Sequence, residues 1–193
     1  MARRPLALLA TVLAALLALL VTPFAAAEDL VVPDDRRDYW HDHRADSGTP
    51  DQHRPDWGRP DLRRTVYRHR SEKVRVRLDM ARLARGDAGY WEVVVRYRTN
   101  EGRTGQATLF KPHEGQVVVG WTGDGNCFID PHLDYADDYF VVEVSRSCLS
   151  LPRWIKFKSA TRWWPTSDDV AYLDVSGSEG YRMSEWSARV RRD

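Results

Sequence analysis

The chain has 193 residues, with 29 Lys and Arg against 28 Asp and Glu, and two cysteines. A net charge of +1 supplies no global field to draw nucleic acid or an acidic membrane surface, so neither is an expected partner. The two cysteines form no Cys-x-x-Cys spacing.

In chain order, the first element is an export signal. Arg3 and Arg4 precede an apolar run from Leu6 to Val21 that only Thr11 relieves, and Ala25-Ala26-Ala27 offers small residues before Glu28. This is the tripartite secretory pattern, with cleavage expected between Ala27 and Glu28. The run of about 16 residues is short for a membrane span of about 20. The mature chain is therefore expected outside the cell, secreted or associated with the cell wall, with no membrane span. Removing Arg3 and Arg4 takes the net charge from +1 to −1.

Residues 28–61 carry Pro33, Pro50, Pro55 and Pro60, mixed charges and few aliphatics after Val32. No strand or helix period runs through them, and the apolar surface is too small to offset ordering entropy. They read as a flexible, disordered polar leader, with Tyr39, Trp40 and Trp57 available to dock on something.

From residue 62 to 193 the pattern has period two. Val74, Val76, Leu78 and Met80 alternate with Arg75, Arg77 and Asp79; Trp91, Val93, Val95 and Tyr97 alternate with Glu92, Val94 and Arg96. Phe140, Val142 and Val144 continue in phase, as do Ile155 and Phe157, which leaves Trp154 beside Lys156 and Lys158 on the opposite face. Turn signals such as TGDGN separate the runs, and only DMARLARG could make a helical turn. The expectation is all-β: one antiparallel sandwich of about seven or eight strands around one core.

Cys127 and Cys148 make an even count in an oxidising compartment, which points to a disulfide. Closing a loop of roughly 20 residues would contribute about 3 kcal/mol. The rival is a nucleophilic thiol activated by Arg146 and Arg153. It lacks an evident base, His132 being the nearest histidine in sequence, so the staple is the expected role.

Around Cys148 the stretch VSRSCLSLPRWIKF resembles a V-x-R-S-C-L-x-x-P-R-W segment of small secreted actinobacterial proteins. The earlier PDLRRTVYRHRSEKVRVRLDM, with Asp61, Leu62, His69, Val74 and Val76 in matching places, and DDVAYLD, residues 168–174, are similar in kind. The resemblance covers residues 60–174 in separated patches. It implies an exported, disulfide-stapled β-sandwich and carries over no catalytic residue.

The acidic loop after Cys127 suggests calcium, but Phe128, Ile129 and Tyr135 occupy positions where an EF-hand needs an oxygen ligand, Gly and Glu. A looser site on Asp130, Asp134, Asp137 and Asp138 stays open as a weak metal candidate. His41, His43 and His53 fall in the leader, with nothing to orient their rings. No hydrolase, metalloprotease or nucleotide motif occurs, and no cofactor is expected. Asp79, Glu92 and Glu143 alternate with apolar neighbours as solvent-face residues do. The aromatics are the better lead: Trp154, Trp163 and Trp164 are candidate ligand-stacking residues, and adjacent Trp163 and Trp164 must face opposite sides of a strand. The expected function is non-catalytic binding of a polysaccharide or protein outside the cell. The alternatives are a hydrolase using surface carboxylates and an inhibitor presenting a disulfide-braced loop.

Overall fold

Alternation becomes strands because each apolar row finds a second row to cover it. The computed structural model describes residues 29–35, 38–43, 51–52, 60–83, 89–124, 127–166, 170–178, 182–183 and 185–192. The expected signal peptide and its cleavage point at Ala27 and Glu28 lie outside them, as do residues 84–86 of DMARLARG, whose first two residues end a strand instead of starting a helical turn. Among the described residues the strands are β1 (Leu30–Pro33), β2 (Trp40–His43), β3 (Asp51–Gln52), β4 (Leu62–His69), β5 (Lys73–Met80), β6 (Gly89–Thr99) and β7 (Thr104–Lys111). There follow β8 (Val118–Thr122), β9 (Ile129–Asp134), β10 (Tyr139–Ser145), β11 (Trp154–Pro165), β12 (Val170–Val175) and β13 (Val190–Arg191). One 3₁₀ turn, Arg146–Leu149, is the helical element among these residues.

Two antiparallel sheets result. The smaller runs β1-β4-β5-β10-β9; the larger runs β3-β2-β12-β11-β6-β7-β8, with β13 added beside β11. They pack face to face over one main core that draws Tyr67, Val76, Leu78 and Phe140 from the smaller sheet and Trp91, Val93, Ile155 and Phe157 from the larger. Tyr67 stacks on Phe157 across the gap, with ring centroids 4.8 Å apart. The inward rows are those the alternation names. A bulge between Leu62 and Arg64 leaves both Arg63 and Arg64 outside and brings Thr65, Tyr67 and His69 into the core.

More strands form than the seven or eight expected, partly because chain within residues 28–61 is built into both sheets. β1 pairs with β4, β2 pairs with β12, and Tyr39 between them has no solvent exposure. These pieces are too short to show a period. They are ordered by edges the later strands offer, which local composition cannot reveal. No helix among the described residues is long and apolar enough to cross a membrane.

Candidate functional site

β11 places Trp154, Lys156, Lys158, Ala160, Arg162 and Trp164 on the outer face of the larger sheet. Trp163 faces the core instead. It is 4% exposed and packs against Trp91 at 6.4 Å and Tyr172 at 5.4 Å between ring centroids. The expectation that Trp163 stacks on a ligand is corrected: the core needs its area. Trp154 and Trp164 share the outer face but stand ten residues apart on one strand, about 33 Å, so they cannot hold the same ring. The Arg189 guanidinium lies 4.7 Å from the Trp154 ring centroid and covers that indole. Trp164 keeps aromatic company: Tyr90 is its partner on β6, and Tyr90 stacks on Phe110 of β7 at 5.7 Å.

Between the two tryptophans lies a groove of about 540 Å³. Its floor is Val94, Ala160, Leu173 and Val175, and its rim includes Arg96, Arg182 and Arg162, the last paired with Glu92 at 3.4 Å. Beyond it the ladder sets Lys158 opposite Arg96 and Lys156 opposite Arg98. Two successive like-charge pairs are an unfavourable cross-strand choice unless an anion covers them. Lys158 is eased by the Trp186 ring, 4.6 Å from its ammonium, and by donating to the Met183 carbonyl. The outer face of the smaller sheet contrasts with this. Asp79 pairs with Arg64 and Arg77, Glu143 with Lys73 and Arg75, and Asp29 with Arg68 and Arg70.

Cys127 and Cys148 are brought together, as expected, but the staple itself is not formed. Both are free thiols, 2.6 Å apart, beyond the S–S bond length of about 2.05 Å. Burial, and then the hydrogen bond to Cys148 and its charge, push the Cys127 thiol up to about 12, which removes it as a nucleophile at neutral pH. Both lie where the chain changes sheet, Cys127 between β8 and β9 and Cys148 between β10 and β11. Arg146 does not activate a thiol either. Its guanidinium is buried and donates to the carbonyls of Ser71, Leu151 and Pro152, holding the turn in which Ser150 and Leu151 take positive φ.

The four loop acids do not converge. Asp134 Oδ1 accepts the N–H groups of Ala136 and Asp137, Asp138 Oδ1 accepts that of Leu83, Asp137 is exposed in the turn, and Asp130 is exposed on β9. Asp79 and Glu143 share a face four residues apart, about 13 Å, while Glu92 lies on the other sheet. That is too wide for the carboxyl pair of a glycosidase. His69 is buried and donates from Nδ1 to the Val190 carbonyl, at 3.3 Å. The side chains of His41, His43 and His53 lie outside the described residues. What the sequence reading missed is a set of carboxylates inside the sandwich, Asp34, Asp38 and Asp174. Its one legible sign was an acid at Asp174 in phase with Tyr172 on a strand whose other face is also apolar. No protein-family model matches this chain, and no curated protein matches it.

Proposed function

We propose that the chain is a non-catalytic binding module acting outside the cell, and that the outer face of its larger sheet takes an acidic polysaccharide. The observation that carries this is the pairing of Lys156 with Arg98, neither of which has an ion-pair partner among the described residues, next to the Lys158–Arg96 pair and the groove. Anionic groups of a polymer would sit over the cations, and sugar rings would stack on the Trp164, Tyr90 and Phe110 end of the same face. On the smaller sheet, by contrast, Arg64, Arg68, Arg70, Lys73, Arg75 and Arg77 are each paired with a carboxylate. Export is supported by the signal-like N-terminus and by the resemblance to secreted actinobacterial proteins. The same reading closes Cys127 and Cys148 into a disulfide on export, since the thiols already adjoin and need only oxidation.

The test is depletion of the protein from solution by insoluble cell wall carrying its acidic polymers, with chitin and cellulose as neutral comparisons. Saturable binding to the acidic matrix is expected, weakened about tenfold by Arg98→Ala with Lys156→Ala and by added salt. Binding to none of the matrices would remove the polysaccharide reading and direct the search to protein partners.

A further inference from the structure

Asp174 is an anomaly of its strand. β12 turns Tyr172 and Asp174 towards the core, and Asp174 has no solvent exposure. Its Oδ2 accepts the Leu62 N–H at 2.6 Å, while the enclosed Oδ1 accepts no hydrogen bond. Asp34, just after β1, accepts the Gly177 N–H on Oδ1 at 2.7 Å and likewise leaves Oδ2 without a partner. Among the described residues neither has an ion-pair partner. Asp38, 5% exposed, completes the group, and one carboxylate oxygen from each of the three lies within 4.8 Å of the others. Asp61, 3% exposed, stands close enough for its charge to act on both Asp34 and Asp174.

Asp34 and Asp174, each enclosed with one oxygen that accepts no hydrogen bond, need protons or a cation. Oxygens no more than 4.8 Å apart can share one ion at about 2.4 Å, the Ca²⁺–oxygen distance. All three donors are carboxylate, which selects a hard divalent ion over zinc or copper. We propose that Asp34, Asp38 and Asp174 bind one Ca²⁺ ion. The ion pins the chain between β1 and β2, where it passes from the smaller sheet to the larger, onto β12. The N-terminal strands are short, and this clip supplies the hold that their few ladder bonds do not. The site is separate from the outer sheet face and does not rest on the polysaccharide reading.

The experiment is a calorimetric titration of metal-depleted full chain with CaCl₂, together with its thermal unfolding with and without Ca²⁺. Asp34→Asn and Asp38→Asn are compared with Asp134→Asn, which alters the other acidic loop. Asp34 is only partly buried, so its amide variant should fold, and the titration of the unaltered chain needs no variant at all. One Ca²⁺ per chain is expected, raising the unfolding midpoint, with affinity falling at least about tenfold in Asp34→Asn and Asp38→Asn and unchanged in Asp134→Asn. No binding up to about 10 mM Ca²⁺ would overturn the proposal and leave a proton-sharing acid cluster. Undiminished binding in Asp34→Asn would overturn it too.

Discussion

Trp163 and Trp164 are neighbours with opposite duties. The first fills the space between Trp91 and Tyr172, and the second lies on the outer face opposite Tyr90. Trp163→Ala should therefore destabilise the fold by about 3–5 kcal/mol and Trp164→Ala by under about 1 kcal/mol, as denaturant unfolding would measure. Only the second should alter binding in a protein that remains folded. At Asp34, burial and then the charges of Asp38, Asp61 and Asp35, against the Gly177 N–H, raise the carboxyl from 3.8 to about 8. Asp174 is raised as well, by burial and then by the charges of Asp34, Asp38 and Asp61, against the Leu62 N–H; Tyr67 is raised by burial, with a smaller contribution from the Asp34 charge. A folded-state pKa above the unfolded value means that the native form holds protons the unfolded chain has released. The stabilisation is complete below pH 4 and is lost as pH rises through about 8. Metal-depleted protein should thus show a contribution to its unfolding midpoint that falls between pH 4 and 8 and is absent from Asp34→Asn. An unchanged pH profile in that variant would count against the buried cluster.

The most informative single element is the turn from Arg146 to Trp154. Arg146 holds three carbonyls, Leu149 and Pro152 are buried, and Asn100 Oδ1 accepts the Arg153 and Trp154 N–H groups, which aligns the start of β11. The R-S-C-L-x-x-P-R-W pattern is thus a device for carrying the chain from one sheet to the other. Its cysteine meets Cys127 on the opposite crossover. Oxidation of this pair should raise stability by about 3 kcal/mol, read as the difference in urea unfolding with and without reductant. Thiol titration should find two thiols in reduced protein and none after oxidation. An oxidised protein of unchanged stability would mean that the bridge strains the turn as much as it constrains the unfolded chain.

At the scale of the molecule, the two outer faces have been given different electrostatic characters. The smaller sheet pairs Asp79, Glu143 and Asp29 with six of its cations, and Arg77 also lies 3.8 Å above the Tyr139 ring. The larger sheet joins a cationic end, a groove with an apolar floor and a charged rim, and an aromatic end on one surface. The N-terminal chain adds strands to both sheets and crosses between them at the buried acids. Binding face and proposed ion site therefore occupy different parts of the sandwich and can be perturbed separately.

The inward rows of β5, β6, β10 and β11 were legible in the sequence, because a side chain's face in a strand depends only on the parity of its position. So were the all-β class, the opposition of Trp163 and Trp164, and the adjacency of the two cysteines. Parity does not say which strands become neighbours. Only the tertiary structure decided that Lys156 faces Arg98, that Trp163 rather than Trp164 is the core residue, and that Asp34, Asp38 and Asp174 meet. Those acids are separated by up to 140 residues of chain. Their meeting follows from strand order and sheet packing, which are settled by the balance of all buried contacts and leave no local trace.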